Sequence, residues 1–341
     1  MKALMKLFLV PLGVGLFLTS ITIPAFTCTT TSLNGLTAAM VNPSTTVTGP
    51  IDAGGCDIGI FFDGGKGSIN QAEIYNAVRF GVVVDGDNNN VAVDIRNSSI
   101  HNIGDNPFSG NQYGVAIYYR AYFLAGSASG TISGNQISDY QKGGIVANGQ
   151  GTSVIITDNT VTGQGPVDYI AQNGIQVGYG ATASVMQNTV SGNSYTGTST
   201  VSGGIIVVGG AGYGNCPDGY PCLLTVGTRI VGNTVINNDI GIWLTNIIDA
   251  AGDPPTSATN VKAVNNVISS DGLHNDYGGF GYQAGVADQG NNDKIINNSI
   301  SGAGYNSATY PSAYVVPIDA DSSFTNRPKV HANAFDGTPT S

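Results

Sequence analysis

Apolar positions in this chain recur in two short phrases that alternate from one end to the other. One is Asn-x-Ile/Val/Phe: Asn135-Gln136-Ile137, Asn159-Thr160-Val161, Asn188-Thr189-Val190, Asn233-Thr234-Val235, Asn266-Val267-Ile268, Asn298-Ser299-Ile300 and Asn333-Ala334-Phe335. The other is Gly-Ile/Val: Gly81-Val82, Gly114-Val115, Gly144-Ile145, Gly174-Ile175, Gly204-Ile205, Gly241-Ile242 and Gly285-Val286. Each phrase is too short for a helix and has the period of a half-buried strand. Two interleaved strands repeated along a chain stack as the coils of a solenoid, each coil covering the next. No helical pattern follows the first residues.

In Gly-Ile-x-Val the first and third residues after Gly face the core, so x faces out. The x positions read Val83, Ala116, Val146, Gln176, Ile206, Trp243 and Ala287, and most are not polar. An apolar outer stripe needs a cover or a partner. The insertions near Gly209 and Asn246 are placed to be covers. In the other case Trp243 is free to stack on a sugar face.

The asparagine has a structural job. A buried amide needs partners for its donors and its acceptor. In a coil stack the same residue recurs about 4.8 Å above itself, the spacing of an asparagine ladder. Ser98-Ser99-Ile100 and Ala72-Glu73-Ile74 fit the coil without the amide, so the ladder is expected to begin at Asn135. Its asparagines are 24, 29, 45, 33, 32 and 35 residues apart. A bare coil is near the shortest of these, and the surplus leaves as loops. The longest insertions are 209–224 and 246–260. Residues 26–66 read as an N-terminal cap over the first coil, and 67–341 as the coil domain.

Composition changes the picture in two ways. Glycine is abundant (49 residues) and charged residues make up only 10%. Glu73 is the sole glutamate among 22 acidic residues, so the acidity is largely aspartate, which suits tight corners. The net charge of −10 argues against a nucleic-acid partner. At the start, Lys2 and Lys6 precede an apolar run and a small-residue exit at Ala25, which reads as an export signal over 1–25. The mature chain is then expected to be secreted, periplasmic or at the cell surface, with no transmembrane span. In an exported chain the four cysteines read as disulfides, Cys28 with Cys56 and Cys216 with Cys222.

Ile132-Ser133-Gly134-Asn135-Gln136-Ile137 and Gly144-Ile145 resemble the repeats of right-handed parallel β-helix proteins, the pectin-lyase-like group. The resemblance covers roughly 69–335. It implies an all-β, right-handed parallel β-helix with an N-terminal cap and an asparagine ladder. That group includes polysaccharide lyases, glycoside hydrolases, uronate epimerases, tailspikes and adhesins. The hydrolase motifs Asn-Thr-Asp, Asp-Asp, Gly-His-Gly and Arg-Ile-Lys are missing, and Asp253-Pro254 is followed by Pro255 where an epimerase motif needs histidine.

Corner segments between the two phrases carry the candidate chemistry. His101 and Asp105, then Asp139, Tyr140 and Lys142, then Asp168, Gln172 and Asn173, with Gln176 beyond, recur at related coil positions. Lys142 among Asp139 and Asp168 has the make-up of a β-elimination base, or the two carboxylates that of a glycosidic acid–base pair. His101, Asp105, Tyr140, Gln172, Asn173, Gln176 and Trp243 are the candidate substrate contacts. The same residues also suit a corner whose charges pair and whose amides bond to backbone. No resident cofactor is implied except possible calcium, for which Asp85 and Asp87, and Asp288 and Asp293, offer closely spaced oxygens; an ordinary turn uses the same residues. Two function classes follow: a secreted protein that binds or processes a polysaccharide or surface glycan, as a lyase or hydrolase if it is an enzyme, and a non-catalytic cell-surface or adhesion protein.

Overall fold

The computed structural model describes residues 27–123, 125–212 and 222–340. Its strands wind around one apolar core as a parallel β-helix with two sheets. The first sheet takes one strand per coil: Thr37–Val41, Ile58–Phe62, Phe80–Asp85, Val115–Arg120, Gly143–Asn148, Asn173–Gly178, Gly203–Gly209, Ile240–Asn246, Tyr282–Asp288 and Tyr314–Asp319. The second sheet takes two, separated by a bend, as in Thr152–Thr157 and Thr160–Thr162. Among the described residues no α-helix occurs, and no helix is long and apolar enough to cross a membrane.

Identical side-chain types stack because the strands stay in register. Ile74, Ile100, Ile137, Val161, Val190, Val235, Ile268 and Ile300 form one inward column. Ile60, Val82, Ile117, Ile145, Ile175, Ile205, Ile242 and Val286 form the facing column. All are fully buried or nearly so. Their β-branched shape suits a pleated surface packed on both sides.

The ladder runs unbroken through Asn135, Asn159, Asn188, Asn233, Asn266, Asn298 and Asn333. Each Nδ2 donates to the next Oδ1 at 2.9–3.0 Å. That same Oδ1 also accepts the preceding asparagine's backbone N–H. The ladder does not stop at Asn135: Asn135 Oδ1 accepts the Ser98 N–H, and the Ser98 hydroxyl accepts the Ala72 N–H. A serine therefore does the asparagine's work one coil further. The bend also sets the residue before each ladder position. Gly134, Asp158, Gln187, Gly232, Asn265, Asn297 and Ala332 all have positive φ, a conformation in which glycine and asparagine are favoured. A shorter second ladder joins Asn193 to Asn238 and receives the Tyr140 hydroxyl.

Several sequence expectations shift. Parallel stacking already begins at Thr37–Val41 and Ile58–Phe62, inside the segment read as the 26–66 cap. The only non-coil strand there is Thr29–Thr30, laid antiparallel on Thr37–Val41. Cys28 is bonded to Cys56, as expected. Cys222 is disulfide-bonded, and Cys216 lies outside the described residues, as does the 1–25 export segment. In the outer stripe, strand register places Tyr118, not Ala116, beside Val83 and Val146. Ala116 takes the place of Gly81 and faces the core. Part of the 209–224 insertion lies outside the described residues, and cover for the stripe also comes from other segments. Leu33, Leu36 and Phe80 bury Phe61 and Val83 at the N-terminal end, and Val201 packs beside Trp243 with Ala284 and Ala287 further on.

Candidate functional site

The outer stripe of the first sheet runs Val146, Gln176, Ile206, Trp243, Ala287 and Asp319 in register. Four strand spacings separate Gln176 from Asp319, roughly 19 Å. Two surface hollows lie along this line, of about 570 and 750 Å³. They meet at Ser199, Thr200, Val201 and Trp243, which line both. The indole Nε1 donates to Gln289 Oε1 at 3.0 Å, which fixes the ring in the floor.

Buried polar residues position the walls. Lys142, Gln172, Ser202, Asp239 and Gln283 share one coil position, at the entry to the first-sheet strand. Asp239 Oδ2 accepts the Tyr195 and Ser202 N–H groups, clipping both ends of the loop that carries 199–201. Gln283 accepts the His274 N–H and donates to the Gly272 and Gly304 carbonyls, pinning the loop that carries Tyr277 and Phe280. Gln172 accepts the Gln164 N–H and donates to the Tyr140 carbonyl. Gln141, one residue earlier in its coil, holds Asp105, Ser109, Asn111 and Tyr113 through their backbones. A buried amide saturated in this way rigidifies its loop. Asp239 is lifted to about 7 by burial, against the pull of the Ser202 and Tyr195 N–H groups. Its Oδ1, like the Ser202 hydroxyl and the Tyr305 hydroxyl, is buried without a hydrogen-bond partner.

The first hollow is lined in part by Lys142, Tyr169, Asn173, Gln176, Tyr179 and Tyr195. Lys142 donates to the Ala171 carbonyl at 2.8 Å, and burial lowers its pKa to about 8. The second hollow is aromatic. Phe280, Tyr314 and Phe324, each close to half exposed, line it with Tyr277, Tyr282 and Trp243. Tyr282 stacks on Tyr314 with ring centroids 5.6 Å apart. Its acids are Asp319, which accepts the Tyr282 hydroxyl at 2.7 Å, Asp321, which accepts the Ser323 hydroxyl, and the buried Asp288.

The residues singled out from sequence fall into separate places. Lys142, Asn173, Gln176 and Trp243 line the hollows. Asp139 is exposed and bonds to Ser138 and Gln164, while Asp168 is exposed beside Tyr169. Among the described residues neither carboxylate bonds to Lys142, so the expected lysine–carboxylate cluster does not assemble. Tyr140 and Gln172 are fully buried and bond to backbone or ladder. His101 stacks on Tyr75 and bonds to Glu73 on the second sheet. Asp105 is held below its ordinary pKa by the Ser109 hydroxyl, with Tyr113 and Asn111 adding to this.

Asp85 and Asp87 are bound by Arg120, at 2.7 and 2.6 Å, so a side-chain cation stands where sequence suggested calcium. Burial lifts Asp85 even against Arg120. Asp288 and Asp293 are both raised, first by burial and, for Asp293, also by the charge of Asp288. They bond to Thr325 and Gly290, and to Thr259 and Val261. Burial and, at Asp293, the neighbouring negative charge both favour the protonated form. Among the described residues no group of three His, Cys, Asp or Glu converges as a metal site. Sequence reasoning missed Tyr277, Phe280, Tyr282, Tyr314, Phe324, Asp319 and Asp321. A signal existed in the density of aromatics over 277–282, leading into the strand Tyr282–Asp288.

A family model described as a right handed beta helix region matches residues 58–216. No curated protein matches the chain. Among solved structures, the C387A mutant of DFA-IIIase from Arthrobacter chlorophenolicus A6 in complex with DFA-III is 11% identical, with 89% of this chain and 73% of that chain covered and a TM-score of 0.42. The same enzyme without its lid is 14% identical, with 89% and 72% covered and a TM-score of 0.33.

Proposed function

We propose that this right-handed parallel β-helix protein binds an extracellular carbohydrate chain in the groove formed by the two hollows. The observation that carries the reading is the group of aromatic faces in the second hollow, Trp243, Tyr282, Tyr314, Phe280 and Phe324, at one end of a stripe that runs roughly 19 Å from Gln176 to Asp319. Sugars present one apolar ring face and a rim of hydroxyls. Flat aromatic rings meet the first, and amides and carboxylates such as Gln176, Asn173 and Asp319 meet the second. The clipped loops give a preformed site, so little ordering is lost on binding. The groove lies along the coil axis, which suits a polymer rather than a monosaccharide.

A catalytic version of this reading rests on Lys142. An amine lowered to about 8 is partly unprotonated near neutral pH, as a proton-abstracting base must be. In a merely binding protein the same lysine clips the 171 loop from the coil position that Gln172 and Gln283 use. The test is a glycan array on the full chain, followed by titration calorimetry on each hit with Trp243→Ala. Binding that falls at least about tenfold in Trp243→Ala, with the fold intact, supports the groove. Hits whose affinity is untouched by Trp243→Ala place the ligand elsewhere. Release of unsaturated or reducing ends that stops in Lys142→Met separates processing from binding.

A further inference from the structure

The two ends of the groove differ in charge. The second hollow is lined by Asp288, Asp319 and Asp321, and no lysine, arginine or histidine lines it among the described residues. Among the described residues the single cation lining either hollow is Lys142, at the opposite end, half-neutralised near pH 8 and tied to the Ala171 carbonyl. An anionic sugar would therefore meet carboxylates without a counter-ion. Asp319 is half-buried and spends one oxygen on the Tyr282 hydroxyl; Asp321 is exposed and spends one on Ser323. Asp319 is also hydrogen-bonded to the Tyr314 side chain, while both bonds from Ser323 fall on one oxygen of Asp321. Around them stand Phe280, Tyr314 and Phe324, each close to half exposed.

Carboxylates beside exposed aromatic faces form the environment that selects an ammonium group. The ring faces attract a cation, the acids pair with it, and neither favours an anion. We infer that the second hollow takes an amino-sugar residue, its ammonium set between Asp319 and Asp321 and its ring against Tyr314 and Phe324. This rests on the proposed function, and it narrows the ligand to a glycan carrying free amines. It also turns away from uronic-acid polymers, which the pectin-lyase-like resemblance had brought forward.

Titration calorimetry on the full chain with three hexasaccharides tests it: β-1,4-linked glucosamine, its fully N-acetylated twin, and a hexauronate. The amine form is expected to bind about tenfold tighter than the N-acetylated form at low salt. The gap should shrink as salt rises, since partly exposed charges are screened. Asp319→Asn combined with Asp321→Asn should lower affinity for the amine form about tenfold more than for the N-acetylated form, erasing the gap. Because both acids sit at the surface of the groove, this variant keeps the fold, and circular dichroism checks it. Equal binding of amine and acetamide, or tighter binding of the uronate, overturns the charge assignment while glycan binding stands. Failure of all three ligands, with the array also blank, overturns both readings together.

Discussion

Replacing Asn188 with alanine opens the ladder at its centre. Asn188 Oδ1 accepts the Asn159 N–H at 3.0 Å and the Asn159 Nδ2 at 2.9 Å. Its own Nδ2 donates to the Ile156 carbonyl, the Met186 carbonyl and Asn233 Oδ1, each at 3.0 Å. Alanine removes all five. Asn159 Nδ2 keeps the Ile132 and Thr157 carbonyls, Met186 keeps the Asp158 N–H, and Asn233 Oδ1 keeps the Asn188 N–H. The Asn159 backbone N–H keeps nothing. One orphaned buried donor costs about 1–3 kcal/mol, and the remaining lost bonds about 1 more, so the expected loss is about 2–4 kcal/mol. Thr189→Ala, on a half-buried side chain next door, should stay within about 0.5 kcal/mol. Asn188→Asp keeps the acceptor but sets a buried carboxylate against Asn233 Oδ1. It should be worse than alanine at pH 7 and recover as the carboxyl is protonated on acidification. Urea unfolding followed by circular dichroism reads all three. Coincident midpoints for Asn188→Ala and Thr189→Ala, at equal slope, would refute the ladder as a source of stability.

Three further outcomes follow from the same geometry. Asp239 is lifted to about 7 in the folded chain from an ordinary value of 3.8, so the native state holds a proton that the unfolded chain has released. Stability from this group is therefore full below about pH 4 and is lost as pH rises to about 7; Asp239→Asn should flatten that fall in melting temperature between pH 4 and 8, and an unchanged slope counts against it. The Cys28–Cys56 bond closes a 28-residue span, so Cys28→Ser combined with Cys56→Ser should lower stability by about 3–4 kcal/mol and free the Thr29–Thr30 edge, read by hydrogen exchange at Ala38. Ala332 holds the positive-φ place that Asn265 and Asn297 fill, and Asn297 Nδ2 already bonds to Asn265 Oδ1. Ala332→Asn should thus raise the unfolding free energy by up to about 1 kcal/mol, and a drop would show that backbone preference does not govern the bend.

The repeat made the fold legible because register forces each coil to repeat the chemistry of its neighbour. Asn188 and Ile175 announce their places by recurring. The ladder's serine at Ser98 was harder to read, since its hydroxyl does the amide's work with a different side chain. Tyr118 was misplaced for a similar reason: Ala116 substitutes for the glycine and slides the phrase by two residues. The groove was largely illegible. Its walls come from loops that the coil period treats as surplus, and Phe280, Tyr314 and Phe324 lie at unrelated sequence offsets. Gln176 and Trp243, in strands, carried a periodic signal, whereas the register of Tyr282 with Tyr314 showed only in space. Lys142 and Asp168 looked like partners because they recur one coil apart. In space the lysine bonds to the Ala171 carbonyl, and the aspartate points into solvent. Sequence spacing fixes a coil position but not which way a corner side chain turns.

The most direct test of the groove is a crystal structure of the chain with a bound oligosaccharide from the array's strongest hit. Sugar rings are expected along the line Gln176, Ile206, Trp243, Ala287 and Asp319, with one ring face on Trp243 or Tyr314. A ligand lying instead on the second sheet, over the Thr160, Thr189 and Thr234 column, would contradict it.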